Sequence, residues 1–292
     1  MYAIDEKFLQ KIETLDLLLK NSNYGSFGGN HKSKLFGSSS EFADYRDYLA
    51  GDEITKIDWN AYLRFNKLYL KLYLDERQAH NKIYIDASRS MIFGKGDKAD
   101  YALKLAAIFA YISVCNMDRV SIYTIKNSRV EEVCVNIASK DSFYAEILKL
   151  NNIEFSGDCF ISDSLLPLNV GYGDGLSVIL SDFLTDNNYE AGIDHLVDRK
   201  RDVLCIQILA KEEVKPKIRG KVQLYDAEDN AKIYKKNVNK DVIIAYEKAL
   251  NYVKERLQNY CNSRNASYLF LQSNADETEV FLNILTQMGV LK

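Results

Sequence analysis

Two spacings of hydrophobic residues alternate along this chain, one typical of helices and one typical of strands. Within the first twenty residues, Ile4, Phe8 and Ile12 recur at helical spacing and predict an amphipathic helix. We expect this helix to dock on the chain's own core rather than on a membrane or a partner. Leucines at every second position from 68 to 74 then predict a half-exposed strand, paired within a small β-subdomain.

After residue 79 the pattern becomes an alternation of short apolar runs and longer amphipathic segments. The apolar runs predict strands at 83–85, 119–126, 129–137, 176–180, 203–209 and 268–272. The second and third of these strands are joined by Asn127-Ser128, which predicts a two-residue hairpin. Helical spacing predicts helices at 97–117, 140–150, 189–200, 241–262 and 277–288. This alternation indicates an α/β fold, with a mostly parallel sheet covered by helices on both faces.

The same change of pattern divides the chain into two parts. Residues 1–78 hold the first helix, a loop rich in Gly and Ser, and the small charged β-subdomain. Residues 79–292 form the α/β domain, with a polar insertion at about 211–239 that is irregular or β-structured.

Trp59, the single tryptophan, lies in a block dense in charged and aromatic residues, 41–64. We expect ion pairs in this block with Trp59 as their apolar plug, and the alternative is an exposed surface that binds a partner.

Three oxygen-bearing side chains follow the first strand of the α/β domain. Asp86, Ser88 and Ser90 stand at every second position directly after the apolar run. In open parallel sheets, ligands bind at the carboxyl ends of the strands, beside a switch in strand order. A carboxylate and two hydroxyls are hard oxygen ligands, suited to Mg²⁺, Mn²⁺ or Ca²⁺ and poorly suited to zinc. The alternative is a solvated turn, in which the same side chains bond to nearby backbone amides.

Two further carboxylates extend this candidate metal site. Asp182 follows a buried strand end, as Asp86 does, so both should emerge at the same edge of the sheet. Asp158 lies in a glycine-containing loop between these strands and is the candidate ligand from that loop, although Ser156 or Ser162 could take the position instead. The alternative for Asp182 is that it only caps the helix that follows it.

Composition excludes several classes of function. The 292 residues include 38 basic and 41 acidic ones, a net charge of -3 that does not favour a nucleic-acid surface. The five cysteines are scattered, which argues against a disulfide framework or a zinc site and favours a reducing compartment. The chain begins with an amphipathic pattern rather than a signal peptide, and its most apolar helix is too short to span a bilayer. We therefore expect a cytoplasmic protein with no integral membrane segment.

Catalytic chemistry has little support in the sequence. The three histidines are His31, His80 and His195, and none has an evident partner for a nucleophile–base arrangement. We therefore expect that the protein is not an enzyme.

The charged block and the polar turn also carry a family resemblance. The positions in the block are Gly29-x-His31-x-Ser33, Glu41-Phe42-x-x-x-Arg46-x-Tyr48-x-x-Gly51-Asp52 and Ile57-Asp58-Trp59-Asn60-Ala61-Tyr62-x-Arg64. Those in the α/β domain are Asp86-x-Ser88-x-Ser90-Met91, Lys98-x-Asp100-Tyr101-Ala102 and Ser181-Asp182-Phe183. With these positions the chain resembles the bacterial "domain of unknown function fifty-eight" proteins, in which such a block precedes a von Willebrand factor A-like domain.

The resemblance implies a fold and a metal site. The fold is a six-stranded, mainly parallel von Willebrand A-like sheet with one antiparallel edge strand. The D-x-S-x-S pattern is that of a metal-ion-dependent adhesion site, for which we expect Mg²⁺ first and Mn²⁺ or Ca²⁺ as alternatives. Where that pattern has a threonine in the second loop, this chain has Ser156-Gly157-Asp158-Cys159.

The resemblance also implies a partner, a MoxR-type AAA+ ATPase, to which the protein would be an accessory or adaptor in chaperone-like assembly or maturation of other proteins. Our leading hypothesis is a metal-dependent protein-interaction module, in which an acidic side chain of a protein partner completes the coordination of the cation. The alternatives are a metal-dependent hydrolase that catalyses phosphoryl transfer and a structural module whose metal site is not used.

Overall fold

The computed structural model describes residues 3–21, 36–49, 51–74, 78–92, 97–173, 175–184, 189–225, 233–276 and 280. Most of the Gly- and Ser-rich loop lies outside the described residues, as does the predicted closing helix at 277–288 except for Val280. The strands are β1 (Phe36–Asp47), β2 (Tyr69–Leu74), β3 (His80–Asp86), β4 (Arg119–Lys126), β5 (Arg129–Ile137), β6 (Leu176–Ser181), β7 (Asp202–Leu209), β8 (Gly220–Tyr225), β9 (Ile233–Val238) and β10 (Ser267–Gln272). The helices are α1 (Glu6–Asn21), α2 (Trp59–Phe65), α3 (Asp97–Cys115), α4 (Lys140–Glu146), α5 (Ile161–Leu165), α6 (Glu190–Asp198), α7 (Lys211–Val214) and α8 (Lys240–Ser263).

The chain forms two compact units. The smaller consists of Gly28–Gln78, and the larger consists of Met1–Phe27 together with Ala79–Lys292. The boundary near residue 78 is where the sequence places it, but α1 belongs to the larger unit, whereas the sequence grouped it with the smaller one. The reason is packing, because Ile4, Phe8 and Ile12 are buried in the hydrophobic core of the larger unit. The predicted docking of this helix on the chain's own core is therefore confirmed.

The smaller unit is a two-stranded antiparallel sheet of β1 and β2 with the short helix α2. Asp58 caps α2, because its carboxylate accepts hydrogen bonds from two backbone N–H groups of the first turn. Arg46 and Asp52 form one of the expected ion pairs, with 2.7 Å between their nearest atoms. The prediction that Trp59 is an apolar plug is wrong, since 55% of this residue is exposed. Trp59 is the first residue of α2, directly after the cap, and its ring packs edge-to-face against that of Tyr62 with 6.2 Å between centroids.

The larger unit contains a six-stranded sheet in the order β10-β7-β6-β3-β4-β5. All neighbours are parallel except β5, which runs antiparallel to β4 at one edge. This is the sheet that the family resemblance implies. Along the chain, β4 and β5 follow β3 on one side of it, and β6, β7 and β10 are then added on its other side. The order of strands therefore reverses between β3 and β6, and a ligand site is expected at their carboxyl ends.

Alternation along the strands supplies a core on each face of the sheet. In β3, Ile83 and Ile85 join one hydrophobic cluster, with α1 and α3, while Tyr84 joins the other, with α6 and α8. The predicted hairpin between β4 and β5 is present, and its two turn residues, Asn127 and Ser128, have φ of 48° and 59°. The insertion at 211–239 contains α7 and the antiparallel pair β8 and β9, with 226–232 outside the described residues.

Helix α3 is the most apolar helix of the larger unit. None of the helices in the described part of the chain is both long and apolar enough to cross a membrane. The buried surface of α3 is instead covered by the sheet, through residues such as Ala102, Leu105 and Ala106.

Candidate metal site at the carboxyl ends of two strands

The polar turn lies at the point where the strand order reverses. Asp86 is the last residue of β3 and Ser181 is the last residue of the neighbouring strand β6, with Asp182 next in the chain. The Ser181 hydroxyl donates a hydrogen bond of 2.5 Å to Oδ2 of Asp86. The two strand ends are therefore joined directly, and both aspartates lie at the same edge of the sheet.

Four of the predicted site residues form one continuous chain of hydrogen bonds. Oδ1 of Asp86 accepts from the backbone N–H of Ser88 at 2.8 Å. The hydroxyl oxygens of Ser88 and Ser90 are 3.0 Å apart, and the Ser90 hydroxyl donates to Oδ2 of Asp182 at 2.8 Å. Asp86, Ser88 and Asp182 are all buried. The arrangement is thus a buried cluster of oxygen atoms, and a solvated turn does not describe it.

Asp86 is the electrostatically costly member of this cluster. It is 2% exposed, and its carboxylate is contacted by hydroxyl and amide donors but, among the described residues, by no cationic side chain. Burial and the nearby charge of Asp182 raise its pKa to about 6, against the opposing effect of the hydrogen bonds from Ser181 and Ser88. A cation placed here would relieve both unfavourable contributions.

Lys98 brings a positive charge to the other carboxylate. Its Nζ lies 2.9 Å from Oδ2 of Asp182 and 2.7 Å from Oε1 of Glu213, and the side chain is 0% exposed. Burial alone would lower the pKa of this ammonium group, but Asp182 and Glu213 together raise it above its ordinary value. Lys98 is therefore a buried cation shared between two carboxylates.

Glu213 is held in place from three directions. Besides the contact with Lys98, its Oε2 accepts from the backbone N–H of Ala210 at 2.7 Å. Its backbone carbonyl accepts a hydrogen bond of 2.8 Å from the hydroxyl of Tyr246, on α8. Burial raises the pKa of Glu213, and the Lys98 ammonium opposes that shift.

The second loop reaches the site through its backbone. The N–H of Ser156 donates to the carbonyl of Ala87, and the N–H of Arg89 donates to the carbonyl of Gly157. The backbone of Asp158 exchanges hydrogen bonds with Asn127, but within the described residues its carboxylate has no hydrogen bond or ion pair.

The alternative residues of this loop are also accounted for. The Ser162 hydroxyl accepts from the N–H of Gly192 in α6, which directs it into the helix packing. Ligation by Asp158 or Ser156 stays a prediction, since the structure places their loop beside the site without showing either side chain in contact with it.

A substitution at Gly157 should displace this loop. Gly157 has φ of +72°, and a Cβ atom added to it would lie 2.2 Å from Oδ1 of Asn127. We expect Gly157→Ala to destabilise the protein by roughly 1–2 kcal/mol, because alanine is strained at positive φ and the Asn127 side chain must rotate away and give up its hydrogen bond from the N–H of Asp158. Urea unfolding measures this loss. Gly171→Ala is the matched control, because Gly171 has φ of +73° but no atom within 4 Å of the added Cβ. Equal losses in both variants would show that the contact with Asn127 is unimportant.

The residues present fit a divalent cation. Asp86, Ser88, Ser90 and Asp182 supply hard oxygen donors, the kind that Mg²⁺, Mn²⁺ and Ca²⁺ prefer. Formally, the carboxylates of Asp86, Asp182 and Glu213 and the ammonium of Lys98 sum to a charge of −2, which a divalent cation neutralises. Groups of three or more His, Cys, Asp or Glu side chains placed to bind a metal do not occur among the described residues. A cation at this site would therefore need the hydroxyls of Ser88 and Ser90 as ligands besides the two carboxylates.

Neither of the two described histidines lies at this edge of the sheet. His80 is the first residue of β3, at the opposite end of that strand, where its Nε2 lies 2.9 Å from the Ser121 hydroxyl. Burial, together with the charges of Lys82, Arg201 and Arg119, lowers its pKa to about 4. Nε2 of His195 lies 3.1 Å from the carbonyl oxygen of Leu168. His31 is outside the described residues.

Sequence reasoning missed Lys98 and Glu213 as members of the site. A signal for Lys98 existed, because it lies on the same helical face as Ala102 and Leu105, both completely buried. A lysine on the apolar stripe of a buried helix needs a partner of opposite charge. Glu213 offered no such signal, since it lies in a polar stretch of the insertion and reaches the site only through the fold.

Comparisons with known proteins identify the family to which the chain belongs. The model of the family described as "Protein of unknown function DUF58" matches residues 44–256. Uncharacterized proteins from Mycobacterium bovis and from two strains of Mycobacterium tuberculosis are each 24% identical over 230 residues, covering 77% of this chain and 72% of the relative.

Several solved structures are similar at low identity. An aerotolerance-related membrane protein from Bacteroides fragilis is 12% identical, with a TM-score of 0.40 over 72% of this chain and 97% of the other. The VWA domain of SpRpn10 is 10% identical, with a TM-score of 0.37 over 71% and 95%. The pilus adhesin SpaC from Lactobacillus rhamnosus GG is 11% identical, with a TM-score of 0.41 over 74% and 30%. The family match spans both units and the residues of the candidate metal site, and the chain belongs to the DUF58 family.

Proposed function

We propose that this protein is a metal-dependent protein-interaction module. The observation that carries the proposal is Asp86, a buried carboxylate that no cationic side chain contacts in the described part of the chain. Leaving an ionised carboxylate buried in this way is costly. Its position at the reversal of strand order supports a binding role for the site, because ligands of open α/β sheets bind there.

The cation would be held by Asp86, Ser88, Ser90 and Asp182, with Mg²⁺ as the first candidate and Mn²⁺ or Ca²⁺ as alternatives. Asp158 is a further candidate ligand from the second loop. When bound, a divalent cation supplies positive charge and free coordination positions that an acidic side chain of a partner protein can use. The hydrogen bonds among these residues orient their side chains.

For the partner, we propose a MoxR-type AAA+ ATPase, with this protein as an accessory or adaptor in chaperone-like assembly or maturation of other proteins in the cytoplasm. Membership of the family supports this choice. We propose a binding role and not a catalytic one, since neither described histidine is placed as a base at this edge of the sheet.

Cation binding is the first property to test. We expect Mn²⁺ or Mg²⁺ to stabilise the folded protein by about 2.7 kcal/mol at a free concentration 100 times Kd, since a ligand of the folded state stabilises it by mass action. Thermal unfolding with and without each cation measures this. Asp86→Asn should abolish the stabilisation. Asp202→Asn is the control, because Asp202 is an exposed carboxylate at the amino end of β7. No stabilisation of the wild type would contradict the proposal.

Partner binding is the second property. The wild type and the same two variants are immobilised, and binding of a MoxR-type ATPase from the same organism is measured in one Mg²⁺-containing buffer. Keeping the buffer constant leaves the ATPase's own magnesium in place. We expect binding by the wild type and Asp202→Asn and weakened binding by Asp86→Asn. Equal binding by all three proteins would show that recognition of the ATPase does not depend on the metal site.

A further inference from the structure

We propose that Lys98 sets the cation affinity of this site. Its ammonium group competes with a divalent cation for the carboxylate of Asp182, and it pairs with Glu213 alone of these two carboxylates when the cation binds. The inference rests on the proposed metal site and adds a residue outside the predicted ligand set. Lys98 is then a positioning residue: it pairs with the carboxylates of the cluster when no cation is bound, and it lowers the affinity of the site for a cation.

The competition follows from the hydrogen bonds of Asp182. Its Oδ2 accepts from the Ser90 hydroxyl at 2.8 Å and from the Lys98 ammonium at 2.9 Å. Its Oδ1 accepts from the backbone N–H of Leu184 at 3.1 Å. Both oxygens are therefore engaged before any metal arrives. Of these donors, the ammonium carries a full positive charge, which a divalent cation on the same carboxylate would repel.

Lys98 cannot withdraw into solvent, because its side chain is 0% exposed and α3 holds it against the sheet. Its second contact, with Oε1 of Glu213 at 2.7 Å, is an ion pair that the ammonium group can keep after it leaves Asp182. Glu213 stays in place without Lys98, since Ala210 holds its other carboxylate oxygen and Tyr246 holds its backbone carbonyl. The ammonium can therefore release Asp182 and remain paired.

The charges of the cluster give the sign of the effect. Removing the Lys98 ammonium changes the formal charge from −2 to −3 and frees Oδ2 of Asp182 for the cation. Removing the charge of Glu213 acts in the opposite direction, because it weakens the pull of Glu213 on the Lys98 ammonium and so strengthens the pairing of Lys98 with Asp182. The two changes should shift cation affinity in opposite directions.

The test is isothermal titration of the full chain with MnCl₂. We expect Lys98→Met to lower Kd by at least about tenfold, the scale of one lost like-charge contact at a partly screened site. Lys104→Met is the matched control, because it removes the same charge from the same helix at a position packed near Phe8. Its Kd should stay within about twofold of the wild type.

The outcomes separate this inference from the proposed function. If the wild type binds Mn²⁺ and Lys98→Met binds it equally or more weakly, the role of Lys98 is overturned and the metal site stands. If Lys98→Met binds Mn²⁺ and the wild type does not, the inference holds and the proposed metal-dependent function of the wild type fails. If neither binds, both fail, because the variant offers the same carboxylates and hydroxyls without the competing ammonium group.

A second pair of variants decides the matter if Lys98→Met does not fold. Glu213→Gln keeps the shape of the side chain and removes the carboxylate that pairs with the Lys98 ammonium. We expect its Kd for Mn²⁺ to rise at least about fivefold. Glu212→Gln is the control, because Glu212 is the exposed neighbour in the same helix. Equal affinities of Glu213→Gln and Glu212→Gln would overturn the inference.

Discussion

Replacing Lys98 with Met is expected to destabilise the cation-free protein by about 3–5 kcal/mol, the usual scale for breaking a buried ion pair. The loss arises because Asp182 and Glu213 stay buried after their shared cation is gone. Urea unfolding in the presence of EDTA measures it. Lys104→Met, on the same helix, should lose no more than about 1 kcal/mol, because Lys104 is only partly buried.

The same variant should regain stability when Mn²⁺ is added. A divalent cation restores positive charge beside Asp182, so the gap to the wild type should narrow as the cation concentration rises. A loss below about 1 kcal/mol without cation would show that water or a proton compensates the two carboxylates as well as Lys98 does.

Replacing Asp86 with Asn is expected to have the opposite effect and stabilise the cation-free protein at neutral pH. The folded-state pKa of Asp86, about 6, lies above its ordinary value of 3.8. The contribution of Asp86 to stability is therefore present in full below about pH 4 and is lost as the pH rises through 6. A difference of about two pKa units corresponds to roughly 3 kcal/mol.

The measurement is the free energy of unfolding of wild type and Asp86→Asn in EDTA, at about pH 4 and at about pH 7.5. We expect a gain of roughly 2–3 kcal/mol for the variant at the higher pH and little or none at the lower pH. An equal difference at both pH values would mean that the carboxylate charge is not its cause. Asp202→Asn serves as the control for an exposed carboxylate.

Together the expected results for these two variants describe a site whose buried charges oppose folding. Burial and the charge of Asp182 raise the pKa of Asp86, so its ionised form is expected to lower stability at neutral pH, while Lys98 pairs with the neighbouring Asp182. Groups retained at such a cost are typical of binding and catalytic sites. This is the physical reason for proposing a binding role for the cluster rather than a structural role alone.

Local sequence determined the elements that build the site. The apolar runs of β3 and β6 predict buried strands, and each run ends at an oxygen-bearing residue, Asp86 in one and Ser181 in the other. The turn at Asn127 and Ser128 was likewise evident, because two polar residues between strands form a tight hairpin. These features depend on neighbours along the chain, so the sequence alone was sufficient to find them.

Tertiary structure decided which charges meet. Lys98 and Glu213 are separated by 115 positions in the chain, and their contact exists because α3 and α7 both begin at the carboxyl edge of the sheet, after β3 and β7. Trp59 was misassigned for a related reason, since a large aromatic residue is buried only if its element turns it toward a core. The position of α1 was also decided by packing, because an amphipathic face does not specify which core will cover it. Spacing along the chain encodes which way a side chain faces on its own element, whereas pairing of charges depends on how distant elements pack.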